Sequence, residues 1–207
     1  MTAYIRFIDR ISTAIGKAFG WYILIMTFGT SYEVFVRYVL DDPTVWNYDL
    51  SYNMYGALFI MAGAYTLSRN GHVRGDVVYR LWKPKIQAAI DLLLFIIFFF
   101  PGVFALTLAG YRYAGESWRY QEVSVFSPAD IPIFPLKTLI PVAGATLLAQ
   151  GLAEVFRCII CLRTGAWPQR AQDIEEMETA IRHEREFAAE RGVQTGSHVA
   201  ASQEQTS

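Results

Sequence analysis

Charge is scarce in this 207-residue chain: Asp, Glu, Lys and Arg make up 18% of it, against roughly 25% in a typical soluble domain. The last stretch, from Asp173 onward, is strongly charged, so the shortage falls on everything before it. Histidine is nearly absent. The three present, His72, His183 and His198, lie outside every long apolar run, which excludes a transmembrane haem held by paired histidines. The two cysteines, Cys158 and Cys161, form a C-x-x-C with neither a βαβ context nor a second ligand pair, so they read as two small lipid-tolerant side chains rather than a redox or metal centre. A net charge of −1 gives no reason to expect a nucleic-acid partner. Missing too are the phosphate-binding G-x-x-x-x-G-K-[ST], the nucleophile elbow G-x-S-x-G and the zinc motif H-E-x-x-H. No enzymatic activity, cofactor or metal is expected.

What is abundant is apolar sequence, at 53% hydrophobic and 15% aromatic residues. A bilayer core of ~30 Å needs ~20 helical residues to cross it, and four segments qualify: residues 19–39, 50–67, 88–108 and 136–160. Before them, Ile5, Ile8, Ile11 and Ile15 recur at helical spacing among Arg6, Asp9, Arg10 and Lys17. That pattern predicts an amphipathic helix over residues 1–18 lying in the headgroup plane. The run that follows is too long for a signal peptide and lacks a small-residue cleavage site. Asp42 and Pro43 read as the cap and first turn of the second span, and Gly71 as the left-handed residue closing it. A short interfacial helix fits Val73 to Trp82. Pro101 is expected to kink the third span, and a long polar connection runs from Tyr111 to Pro135. Residues 161–207 form a tail, helical from Asp173 to Arg191 and disordered in composition beyond it. The fold class is therefore an all-α integral membrane bundle of four transmembrane helices with an N-terminal interfacial helix.

Basic residues orient this bundle. The N-terminal arm has Arg6, Arg10 and Lys17. The second connection has Arg69, Arg74, Arg80, Lys83 and Lys85, and the tail has six arginines from Arg157 to Arg191. The first connection has no Lys or Arg between its ends and carries Asp41, Asp42 and Asp49. Both termini and the second connection are thus expected in the cytoplasm.

Ionisable groups inside a span cost ~2.5–3.5 kcal/mol on insertion scales, so each needs a reason. Glu33 and Arg37 are four apart, the spacing and order of a helical ion pair; a structural pair is favoured over a proton or cation site. Gln150 and Glu154 share a face near the end of the last span and read as a contact to another helix or subunit. His72, Arg74 and Asp76 cluster in a loop without further ligands.

Taken in order, several segments resemble one family. Phe35-Val36-Arg37-Tyr38-Val39 closes the first span, and Trp46-Asn47-Tyr48-Asp49 opens the second. Gly63-Ala64-Tyr65 then precedes Asn70-Gly71-His72-Val73-Arg74-Gly75-Asp76, and Ile131-Pro132 approaches the final span. From about Ile5 to Ile160 the chain is similar to the small, DctQ-like membrane subunit of tripartite ATP-independent periplasmic (TRAP) transporters. Asp49 stands where the family usually has Glu, and the third connection and tail are long. The resemblance implies a bacterial inner-membrane scaffold. Its partners would be a large elevator-type membrane subunit, membrane lipid and, transiently, a periplasmic solute-binding protein, with sodium-driven uptake of an organic-acid-like solute. Arg37, Trp46 and Asp49 would fix one corner of the small subunit, and His72, Arg74 and Asp76 its cytoplasmic loop. The rival reading is a stand-alone dimeric exporter coupled to protons through Glu33.

Overall fold

The computed structural model describes residues 1–71, 79, 81–126, 128–170 and 179. Met1–Pro168 forms one compact unit and Gln169–Ser207 a second. All helices named below belong to the first. No strand occurs among the described residues, only an isolated bridge between Val123 and Pro132.

Among the described residues six α-helices are placed: α1 Thr2–Gly20, α2 Tyr22–Val39, α3 Asn47–Ser68, α4 Pro84–Leu94, α5 Phe100–Tyr120 and α6 Phe134–Thr164. Only Trp21 separates α1 from α2, and its own dihedrals stay right-handed helical. Between α4 and α5 lies a single π turn, Phe95–Phe99. Its position has a cause two residues downstream: Pro101 offers no N–H, and its ring would press on the Ile97 carbonyl in a regular helix. Widening the preceding turn, with the Phe100 N–H donating to the Phe95 carbonyl, absorbs the proline without ending the helix.

Among the described residues three helical stretches are long and apolar enough to cross a membrane: Thr2–Val39, Pro84–Tyr120 and Phe134–Thr164. Helix α3 has 22 residues, a length of about 33 Å. Tyr52, Asn53, Tyr55 and Tyr65 dilute its apolar character.

Several boundaries differ from the sequence expectation. Asp42 and Pro43 do not begin α3. Residues 40–46 stay irregular because Thr44 is drawn back to Glu33 on α2 through both its backbone N–H and its hydroxyl. The left-handed residue after α3 is Asn70, φ 55°, with Gly71 donating to the Thr66 carbonyl at 2.9 Å; Asn reaches this region more easily than most residues. Helix α5 continues to Tyr120, so the third connection shrinks to residues 121–133. The expected helices over Val73 to Trp82 and Asp173 to Arg191, and the tail beyond, lie largely outside the described residues.

Helix order in space comes from small residues. Gly110 meets Ile140, Thr107 meets Gly144 and Phe99 meets Gly151, an unbroken antiparallel register between α5 and α6. Gly56 against Leu136 and Gly63 against Leu147 set α3 parallel to α6, while Gly16 against Tyr65 and Gly29 against Asn47 set α1–α2 antiparallel to α3. Alanine is the commonest of the buried apolar residues, at positions 57, 64, 88, 114, 143 and 153. Large side chains instead face outward, with Phe28 74%, Phe59 72% and Phe98 69% exposed. A water-soluble core would bury those rings first. Small residues inside and large apolar ones outside is the pattern of helices packed in lipid.

Candidate functional site

Buried polar side chains collect in two places, one at the loop end and one where α1 packs on α6. At the end carrying the 40–46 and 121–133 connections, three separate links hold loops to helices. Glu33, on the last turns of α2, accepts from Arg37 Nε at 3.0 Å and Nη2 at 2.5 Å with one oxygen, and from Thr44 N–H at 3.2 Å and the Thr44 hydroxyl with the other. The Glu33 side chain is 10% exposed and that of Arg37 50%.

Second, Asp49, in the first turn of α3, accepts from the Ser124 hydroxyl at 2.6 Å across 75 residues of sequence, both groups being buried. The bridge between Val123 and Pro132 presents Ser124: the Ser124 N–H donates to the Ile131 carbonyl at 2.9 Å and the Ile133 N–H to the Glu122 carbonyl at 3.0 Å.

Third, Lys137 in the first turn of α6 reaches Glu122, which also accepts from the Ser117 hydroxyl at 2.8 Å. The Lys137 ammonium lies 4.0 Å over the Tyr113 ring. Glu122 sits in the connection, and the Lys137 ammonium, helped by the Ser117 hydroxyl, holds its carboxyl below the usual carboxylate range.

The opposite end is built differently. Here α1 lies against the second half of α6, through Tyr4, whose hydroxyl donates to the Ala149 carbonyl at 3.2 Å, and through Ser12, which donates to Gln150 Oε1 at 2.8 Å. Asp9 takes the Gln150 amide on one oxygen at 2.9 Å and the Arg157 guanidinium on the other. The same guanidinium binds Glu154. Gln150, Glu154 and Arg157 are 0%, 2% and 2% exposed, and Ser12 is 2% exposed. Arg157 thus joins two carboxylates on helices that the sequence holds far apart, a charge-assisted arrangement well suited to a dry site.

Of the residues singled out from sequence, Glu33 and Arg37 pair as their spacing predicts. Asp49 ties α3 to the 121–133 connection through Ser124. Trp46 immediately precedes α3 and is 39% exposed. Gln150 and Glu154 bond within this chain to α1 and to Arg157. His72, Arg74 and Asp76 lie outside the described residues. Sequence reading passed over Asp9, Ser12, Ser124, Glu122 and Arg157. Only the Glu154–Arg157 spacing of three gave a local signal.

A groove of about 360 Å³ opens beside α3, lined by Phe19, Tyr22, Leu50, Asn53, Leu136 and Leu139 among others. Its lining is mostly apolar. Among the described residues no group of three His, Cys, Asp or Glu is placed to hold a metal ion. The arrangement joins helices and loops to one another.

A family model described as "Tripartite ATP-independent periplasmic transporters, DctQ component" matches residues 26–161. No curated protein matches the chain.

Proposed function

This chain belongs to the DctQ component family of the tripartite ATP-independent periplasmic transporters, and from that premise we propose that it serves as the small scaffold subunit supporting a large, elevator-type membrane subunit. In this reading a periplasmic binding protein delivers an organic-acid-like solute, a sodium gradient drives uptake through the large subunit, and this chain carries neither. It crosses the bacterial inner membrane four times, α3 being the second crossing, with both termini in the cytoplasm. The 40–46 and 121–133 connections then face the periplasm.

One observation carries the proposal. Buried polar groups are bonded to one another within the chain, those of Gln150 at the middle of α6 to Ser12 and Asp9 of α1, while large apolar side chains of α2, α3, α4 and α5 point outward. A carrier needs polar groups converging on a site near mid-membrane, commonly from interrupted helices. Here the interruption in the Pro84–Tyr120 stretch is a π turn of Phe95 to Phe99, whose side chains are all apolar. Outward rings on helices locked by glycine contacts suit a static partner with a broad apolar surface. Glu33, the acid that a proton-coupled exporter would use, is already engaged by Arg37 and Thr44.

Affinity capture tests the proposal. A tagged chain co-expressed with its large subunit is expected to retain that subunit in mild detergent. Substitutions R37Q and D49N, and removal of charge at His72, Arg74 and Asp76, are expected to lower the yield of the pair. Normal capture and uptake by all these variants would remove those residues from the interface. Failure of the unmodified chain to capture the large subunit would overturn the scaffold reading itself.

A further inference from the structure

Helix α1 divides its surface three ways. One face is packed: Ile5 and Ser12 are buried, and Asp9 turns inward to Gln150 and Arg157. A second stripe, Ala3, Phe7, Ile11, Ala14 and Ala18, repeats every three or four residues and is exposed, Phe7 by 61%. Between the two runs a third stripe of Arg6, Arg10 and Lys17, also exposed. Among the described residues none of these three forms an ion pair, and the only acid of α1 is the inward-facing Asp9. A helix that merely packed on the bundle would need one apolar face; this one has two, the outer one edged by uncompensated positive charge.

We propose that this outer surface of α1 is a binding surface for anionic phospholipid. Arg6, Arg10 and Lys17 engage headgroup phosphates, while Phe7, Ile11 and Ala14 lie among the upper acyl chains. Charge complementarity selects the occupant. The surface offers three cations and no anion, and anionic lipids attract each nearby Lys or Arg separately. The Asp9–Arg157 link gives the surface its sign. By turning the single acid of α1 inward to a guanidinium on α6, it removes the one group that would repel a phosphate, and it fixes the helix so that the basic stripe stays outward. The inference requires only that the chain sits in a bilayer; it does not rest on the scaffold role, and capture of the large subunit would not report on it.

The test uses the full chain carrying A14C labelled with bimane; Cys158 and Cys161, 1% and 0% exposed, are shielded from the reagent. Reconstituted samples are titrated with brominated phosphatidylglycerol and, separately, brominated phosphatidylcholine. Quenching is expected at markedly lower mole fraction of the anionic lipid. That preference should fall roughly fivefold for each charge removed in R6Q, R10Q and K17Q, and it should weaken at 1 M salt. Equal quenching by both lipids in the unmodified background would overturn the proposal. So would an unchanged preference in the triple Gln variant with its helical circular dichroism intact. A label quenched by neither lipid would mean that protein covers this face, and would overturn it as well.

Discussion

At the α1 end of the bundle, one guanidinium with 2% of its side chain exposed holds carboxylates from two helices, Asp9 and Glu154, the first of them 148 residues away. At the loop end, three links stand apart from one another, and two of them keep one member half-open to solvent: the Arg37 side chain is 50% exposed and that of Glu122 41%. The difference is one of consequence. Removing a partner from a dry, shared network strands charge in a medium that cannot solvate it. Removing the buried member of a half-open pair leaves its partner, already in contact with solvent, to be hydrated. The α1 end should therefore behave as a closure of the fold, and the loop end as a set of separable fastenings.

Arg157→Leu should have the largest effect. It leaves two carboxylates facing each other and should cost about 3–5 kcal/mol, read as a large drop in thermal unfolding temperature in detergent. Adding Asp9→Asn to it should recover part of that loss, because the two sites share one network. A wild-type melting temperature for Arg157→Leu would end the distinction between the two ends. Next comes Ser124→Ala, which withdraws a donor from buried Asp49 at a cost of about 1–3 kcal/mol. Hydrogen exchange should localise its loosening to residues 121–133, sparing the α1 end; protection lost at both ends would make the bundle a single cooperative unit.

Smaller still is Glu33→Gln. It weakens the pair with Arg37 but leaves Thr44 a carbonyl acceptor, so the thermal unfolding temperature should change little. Solute uptake by the assembled transporter should be unaffected, whereas abolished uptake would favour the proton-coupled exporter.

The smallest effect belongs to Glu122, and it is one of pH. Its folded-state pKa is lowered, so the Lys137 link contributes stability that is present above the unfolded value of ~4.3 and is lost as pH falls through the folded value. Glu122→Gln should therefore differ from wild type at pH 6 to 7 and converge with it in strong acid. A gap that widened on acidification would reverse the assignment.

The helices were legible because the bilayer imposes length and apolarity on local sequence, and both are read without knowing the fold. Pro101 was legible as a disturbance, yet not as a π turn, since the choice between bending and widening depends on what packs alongside: Phe99 fits over Gly151 on α6. The Glu33–Arg37 pair was legible because its partners are four residues apart on one helix. Asp9 was read as one of the polar residues of a helix in the headgroup plane, and no local rule corrects this, because its partner lies at the far end of the chain. A faint clue existed: it is the lone acid in an otherwise basic helix, with Ser12 three residues on along the same face. The Asp49–Ser124 link was hidden for the same reason. Asp42-Pro43 misled because the cap signal is local, while the pull of Glu33 on Thr44 depends on how the connection folds back over α2.

Solute flux into liposomes with and without the large subunit tests the central claim most directly. The account predicts that the purified chain alone moves no labelled organic acid and dissipates no proton gradient. Uptake should appear only when large subunit, binding protein and an inward sodium gradient are all present. Sustained flux through the chain alone would contradict it.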